Sequence, residues 1–373
     1  MRWVDDDDEL RSVVEALRGA ATYFIDTEFE SARRQTTLSV IQVSAGEEIY
    51  LLDALRLRTL EPIAAVVARA ESEWVLHAGL QDVELLLDRF EAKEPPRLFD
   101  TQVAWAMQGP EAGVSLAYLK YKVLGIRSMK THQAEDWMRR PLPRSQLAYA
   151  AADVEHLPAI HKALSQRLQE LDRADLVDQV SREFLCPVAE PPADLSMSSF
   201  RNAWQLEPRN QAALSFVIEW HNGLSSHDRK RCPPTKTLLA IASRLPPTVK
   251  DLKRLKGVPA QFPDHLATSL VRGLLATTKA KEADFERIDP PAYGSFQEIA
   301  LDAWLASLRA QVCAEVSMAP EVAFPSRMLK RIKPALLESA NPAALLAELS
   351  GWRDRVLGSA TQAFLARQPM PAP

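Results

Sequence analysis

Two carboxylates stand two residues apart inside the run ATYFIDTEF, and no other feature of the 373-residue chain constrains its fold as strongly. The neighbours Tyr23, Phe24, Ile25, Thr27 and Phe29 favour extended backbone. On a strand, residues i and i+2 face the same side, so Asp26 and Glu28 point together. Like charges side by side on a sheet face are destabilising. The fold must bring something to that face that compensates them.

Around this pair the chain reads as a β-meander over 21–52. Its strands are ATYFIDTEF, TLSVIQVS and EIYLLD, with the turn AGEE between the last two. EWVLHA predicts a fourth strand. Amphipathic helices follow. LEPIAAVVARA carries Pro62 in its first turn, where proline is tolerated. LQDVELLLDRFEA comes next, then TQVAWAMQ behind Asp100 as N-cap. SLAYLKYKVLG runs from the cap Ser115 to a stop at Gly125. SQLAYAAADVEHLPAIHKALSQRLQELD reads as one long alanine-rich helix with Ser145 at its cap. Strands first and helices interleaved after them indicate a layered α/β or α+β domain.

The texture changes at CPVAEPPADLSMSS (186–199), a proline- and serine-rich linker that closes a first domain over 1–185. Beyond it strand signals fade. A second break at IDPPAYGS (288–295) divides the rest into helical units over 200–285 and 293–368. These two look related. PTKTLLAIA from Pro234 parallels PSRMLKRIK from Pro325, and PTVKDLKRLKG parallels PAALLAELSG, as a diverged repeat would.

More acids are placed to meet the strand pair. Asp82 lies in HAGLQDVELL, in the first turn of the helix after the fourth strand. Asp153 lies in YAAADVEHL, four residues after Tyr149, so phenol and carboxylate share a helix face. Four converging acids cannot all stay ionised without cations. Oxygen-rich sites of this kind suit Mg²⁺ or Mn²⁺. Two such ions can stabilise the attacking and leaving oxygens of a phosphoryl displacement. A tyrosine beside them can orient the water, or take its proton if its own pKa is lowered.

In these stretches the chain resembles the ribonuclease D family of DEDD 3′→5′ exonucleases, tyrosine subtype. FIDTEFE, HAGLQDVELL and YAAADVEHL are similar to its three motifs, and FDTQVAWAM and DWMRRPLPRSQLAYAAADV also resemble it. The resemblance implies a ribonuclease H-like α/β exonuclease domain, a mixed sheet flanked by helices. It also implies two all-α domains of helicase-and-RNase-D C-terminal (HRDC) type behind it. Asp26, Glu28 and Asp153 would then bind two divalent cations directly, Asp82 would hold the second ion, and Tyr149 would position the water. Thr27 and Phe29 would flank the terminal nucleotide, with His77 as a further substrate contact. Two departures stand out: Glu135 replaces a serine before DW, and FESARRQTTLSVIQV lacks an aromatic after its arginines.

The substrate implied is RNA with a single-stranded 3′ end, tRNA precursors above all, held by a monomer. The net charge of −4 excludes binding by the whole molecule's field, so the footprint must be local. Residues 225–256 carry nine basic residues against two acids. Arg229, Lys230 and Arg231 are the densest block, with Lys250, Lys253, Arg254 and Lys256 behind it. In the first domain, Lys120, Lys122, Arg127, Lys130, Arg139, Arg140 and Arg144 are candidates to line the approach. Arg139 and Arg140 stand just before the Tyr149 helix, while Trp137 and Trp204 read as packing residues.

Cys186, Cys232 and Cys313 lie too far apart for a disulfide framework or zinc spacing, which fits a reducing cytoplasm. No apolar run reaches membrane-span length, and the acids Asp5 to Glu9 are unlike a signal peptide. Three rivals remain: a 3′→5′ DNA exonuclease, an inactive RNA-binding scaffold, and a structural cation site in an interaction protein. The scaffold would have lost a carboxylate, and a calcium loop would gather its ligands in one short stretch.

Overall fold

The computed structural model of the chain describes residues 1–32, 35–127, 136–187, 194–200, 202–277, 295–339 and 341–371. Arg33, Arg34, Lys130, Glu135, part of the linker and nearly all of the 288–295 break lie outside these residues. The chain divides into two compact units, Met1–Val188 with Phe296–Pro373, and Ala189–Ser295.

The first unit is built on a six-stranded sheet. Its strands are β1 (Arg2–Val4), β2 (Thr22–Ala32), β3 (Gln35–Ser44), β4 (Ile49–Asp53), β5 (Glu73–Leu76) and β6 (Arg97–Asp100). They lie in the order β1-β4-β3-β2-β5-β6. β2, β3 and β4 form the expected antiparallel meander, with Asp26 opposite Gln42 and Glu28 opposite Val40. β1, β5 and β6 join in parallel, which makes the sheet mixed. β1 and β6 have no counterpart among the strands expected from the sequence. They are three and four residues long, too short to display alternation.

Helices α1 (Asp7–Leu17), α2 (Glu61–Val67), α3 (Leu80–Arg89), α4 (Thr101–Ala106), α5 (Leu116–Leu124), α6 (Arg144–Glu155), α7 (Leu157–Glu170) and α8 (Val177–Leu185) complete this part. Asp100 caps α4 through Gln102 N at 2.8 Å and Val103 N at 3.0 Å. Ser115 caps α5, which stops at Gly125 with φ of 73°. The expected single helix from Ser145 is two. α6 begins at Arg144 behind Pro143, and the chain breaks at His156 before α7. Pro158 lacks the N–H that would have bonded Val154.

α1, α2 and α3 bury Val13, Ile63 and Leu86 against Ile25, Ile41 and Val43 on one sheet face. On the other face Ala150 and Ala151 of α6 pack with Val40, Leu51 and Trp137. This packing lays α6 across the side of β2 that carries the acids.

The C-terminal segment folds as α14 (Phe296–Val316), α15 (Pro320–Ala323), α16 (Ser326–Ser339), α17 (Ala343–Glu348) and α18 (Trp352–Arg367). The sequence set 293–368 apart as its own domain. In the structure its Leu308, Val312, Phe324 and Phe364 belong to one apolar core with Phe99, Val154, Leu164 and Val180. Glu183 of α8 clamps the junction, accepting from both terminal nitrogens of Arg353 at 2.8 Å and from Arg327 at 2.9 Å.

The second unit consists of α9 (Pro208–Asn222), α10 (Ser226–Arg229), α11 (Thr235–Arg244), α12 (Val249–Arg254) and α13 (Asp264–Thr277). They close on Leu214, Val217, Ile241, Leu252 and Leu270. α9–α13 and α14–α18 follow the same succession. In each, a long helix and a single turn precede a helix behind proline, and a short helix and a last long one follow. Gly257 and Gly351, before the two last helices, both take positive φ, 97° and 60°.

Candidate active site

The side chains of Asp26 and Glu28 face α6, as their spacing requires. Asp153 of that helix meets them. One carboxylate oxygen from each of the three residues lies within 4.8 Å of the others, and each residue stays partly exposed. Asp82 sits one step away in the first turn of α3, buried. Only glycine fits at position 79 before it, because a Cβ there would stand 2.8 Å from Leu76 Cβ. Asp100 holds that start, accepting from Gly79 N at 2.9 Å.

Crowding dominates the electrostatics. Burial, then the charges of Asp82, Asp153 and Glu28, raise the Asp26 carboxyl well above the usual carboxylate range. Burial with Asp153 and Asp82 pushes Glu28 up to about 8. Burial raises Asp82, against the hydroxyl and backbone of Thr27. Burial raises Asp153 too, opposed by Lys120 and by a hydrogen bond from Tyr149. Such a cluster holds protons at neutral pH until cations replace them. Its donors are all carboxylate oxygens, a set that fits a hard divalent cation.

Tyr149 is half-buried, its ring tilted at 43° to Trp137 with centroids 6.2 Å apart. Burial and the charges of Asp153, Glu28 and Asp26 push its phenol above the ordinary tyrosine value. Among the protein's own groups it is a neutral hydrogen-bond donor to Asp153.

Several expected substrate contacts are engaged inside the protein. Thr27 is buried and donates to Asp82 Oδ1 at 2.5 Å, so its hydroxyl positions an acid. His77 bonds Thr101 Oγ1 through Nδ1 at 2.9 Å and Val114 O through Nε2 at 3.1 Å. Burial lowers its pKa to about 4. It is a neutral strut between β5 and the loop before α5. Arg140 binds Asp53 at 2.6 and 2.8 Å and donates to Ser39 O and Trp137 O. Ser39 is where the β2–β3 register shifts, so Arg140 props a bulge beside the acids. In the second unit Arg229 bonds Asp194, Leu224 O and Asn222 O.

Arg139, Lys230 and Arg231 are exposed, and Phe29 is partly so. Lys122 and Arg127 lie over the rings of Tyr118 and Tyr121. Lys120, expected on the approach, is buried instead. Trp137 is buried as expected.

The sequence reading also passed over Gln42, fully buried opposite Asp26, whose Nε2 donates to Glu28 Oε1 at 3.5 Å. Pairing the meander strands would have indicated it. The Asp53–Arg140 pair had no signal, since 87 positions separate its members.

Residues 1–169 match the family model of a 3′-5′ exonuclease domain. The chain is 30% identical to ribonuclease D of Gluconacetobacter diazotrophicus over 357 residues, 94% of this chain and 89% of that one. Against ribonuclease D of Pseudomonas paraeruginosa it is 28% identical, covering 96% of both. Its fold is similar to the crystal structure of Escherichia coli RNase D, an exoribonuclease involved in structured RNA processing. The TM-score is 0.69 at 24% identity, over 99% of each chain.

Proposed function

Given that the chain belongs to the ribonuclease D family and is a 3′→5′ exoribonuclease, we propose that Asp26, Glu28, Asp82 and Asp153 hold two divalent cations, Mg²⁺ or Mn²⁺, for stepwise removal of 3′ nucleotides as 5′-monophosphates. The observation that carries this reading is the approach of three carboxylates within 4.8 Å. When bound, the cations would supply charge stabilisation for the attacking and leaving oxygens. Asp26, Glu28 and Asp153 would hold the cations directly, with Asp82 beside them. Tyr149, neutral and bonded to Asp153, would position the attacking water. Thr27 and Gln42 keep Asp82 and Glu28 aimed.

The proposed substrate is RNA with a free single-stranded 3′ end, tRNA precursors or other structured RNA. The HRDC-like unit Ala189–Ser295 would grip it. Lys230, Arg231, Lys250, Arg254 and Lys256 are exposed there and suit phosphate contacts. Arg139 and Phe29 would meet the RNA near the acids. We take the working form to be a monomer in the cytoplasm, where the three free cysteines suit a reducing compartment. A DNA exonuclease is the second reading within the same chemistry. The retained set of four carboxylates speaks against an inactive scaffold.

A 5′-labelled RNA with a short 3′ tail tests this beside a matched DNA. Wild type with Mg²⁺ should shorten the RNA from its 3′ end, and EDTA or Asp153→Asn should abolish the ladder. Faster loss of the DNA would move the reading to a DNA exonuclease. Intact strands with both Mg²⁺ and Mn²⁺ would overturn it in favour of the scaffold.

A further inference from the structure

Lys120 is the buried cation of this site, and nothing in the catalytic reading uses it. It follows Leu119 on α5 and is only 5% exposed. Its Nζ donates to Ala152 O at 2.5 Å, a carbonyl in the last turn of α6. Helix C-termini leave carbonyls unpartnered and carry partial negative charge, so an ammonium is well placed there. Asp153 is the next residue along. Among the described residues the polar contact of Lys120 Nζ is the Ala152 carbonyl and not a carboxylate, although buried charges are ordinarily paired. Its compensation comes from farther off. Burial pulls the ammonium below the ordinary lysine value, while the charges of Asp153, Glu155 and Asp26 hold it up.

We propose that Lys120 is a positioning residue whose positive charge is the acid cluster's internal counter-charge, letting Asp26 and Asp153 come together before cations arrive and setting how tightly cations then bind. A fixed charge of this kind helps the empty cluster and opposes the filled one. The two effects have opposite signs, and that separates a counter-charge from a mere strut. A strut lost from α6 would misaim Asp153 and weaken cation binding.

This inference rests on the reading of the cluster as a cation site, so wild type is the first control. Thermal unfolding is followed in EDTA and through a Mn²⁺ titration for wild type, Lys120→Met and Lys120→Arg. Wild type should gain stability with Mn²⁺. If it does not, the cation site itself fails and Lys120 is not at issue. Lys120→Met should unfold at lower temperature in EDTA and reach half-saturation at about three- to tenfold lower Mn²⁺, as expected when one nearby charge is removed. Lys120→Arg should stay near wild type. Equal or weaker Mn²⁺ binding by Lys120→Met overturns the proposal and leaves a strut. If Lys120→Met folds only with Mn²⁺, the counter-charge stands. If neither it nor Lys120→Gln folds even with Mn²⁺, the proposal falls, because cations would replace a counter-charge.

Discussion

The hydroxyl of Thr27 donates to Asp82 Oδ1 at 2.5 Å, joining β2 to the first turn of α3 just beyond the point where β5 ends. The acid at the helix start is thereby tied to the strand that carries the other two. A hydrogen bond to a charged group contributes about 1.5–3 kcal/mol. Thr27→Val should lower stability by about that amount and raise the Mg²⁺ needed for half-maximal activity. Thr27→Ser should recover all but about 1 kcal/mol, the part due to the buried methyl. Denaturant unfolding and a Mg²⁺ titration of activity read both. Wild-type behaviour of the valine variant would leave this bond without a role.

Glu28 predicts a pH dependence. Its folded pKa of about 8 lies above the ordinary 4.5, so the folded protein holds this proton more tightly than the unfolded chain. That contribution is fully present below pH 4.5 and is lost as pH rises through 8. In EDTA, stability should therefore decline across this window. Cations should displace the proton at pH 7 and find little left to displace at pH 9. Calorimetry of Mn²⁺ binding in buffers of different ionisation enthalpy counts those protons. A count of zero at pH 7 would refute the assignment.

Arg140 separates support from RNA contact. Its side chain is 12% exposed and that of Asp53 fully buried. Removing one partner of such a pair destabilises by about 3–5 kcal/mol. Arg140→Met should show this loss in urea, and RNA affinity at permissive temperature should keep its salt dependence. Lys230→Ala with Arg231→Ala should do the reverse, weakening binding and flattening the salt slope by about two. An unchanged slope in the double variant would remove that block from the RNA footprint.

The C-terminal helices should prove indispensable to the nuclease half. Ending the chain at position 295 would bare the core that Phe99, Val154 and Leu164 share with Leu308, Phe324 and Phe364, and the product should aggregate. Glu183 gives a milder probe. Burial pushes its carboxyl up, but the bonds and charge of Arg353, with Arg327 and Trp352, more than offset this and leave its pKa lowered. Its contribution is present above the ordinary value of 4.5 and is lost as pH falls through the depressed one. Glu183→Gln should therefore destabilise at pH 7 and lose that effect in acid. A soluble, active 1–295 fragment would contradict the shared core.

Much of the site was legible because local geometry is periodic. Asp26 and Glu28 share a face because strands alternate, and Tyr149 and Asp153 share one because helices turn every 3.6 residues. The caps Asp100 and Ser115 were readable because a short polar side chain ahead of a helical run can accept from the first turn's N–H groups. The break at His156 was also written locally, in Pro158, but the alanine-rich periodicity on both sides concealed it.

The sequence by itself therefore determined which acids could converge, which strands and helices carry them, and that the face between them calls for cations. Only the tertiary structure decided what the remaining polar groups do. Arg139 and Arg140 are neighbours in one basic run, yet one is exposed and the other is bound to Asp53. Lys120 and Lys122 differ in the same way. The physical reason is that a side chain's charge and reach are local properties, whereas its burial and its partner depend on chain packed against it from tens of residues away. The same reason places Phe364 in the core that holds Val154, a grouping that no spacing along the chain announces.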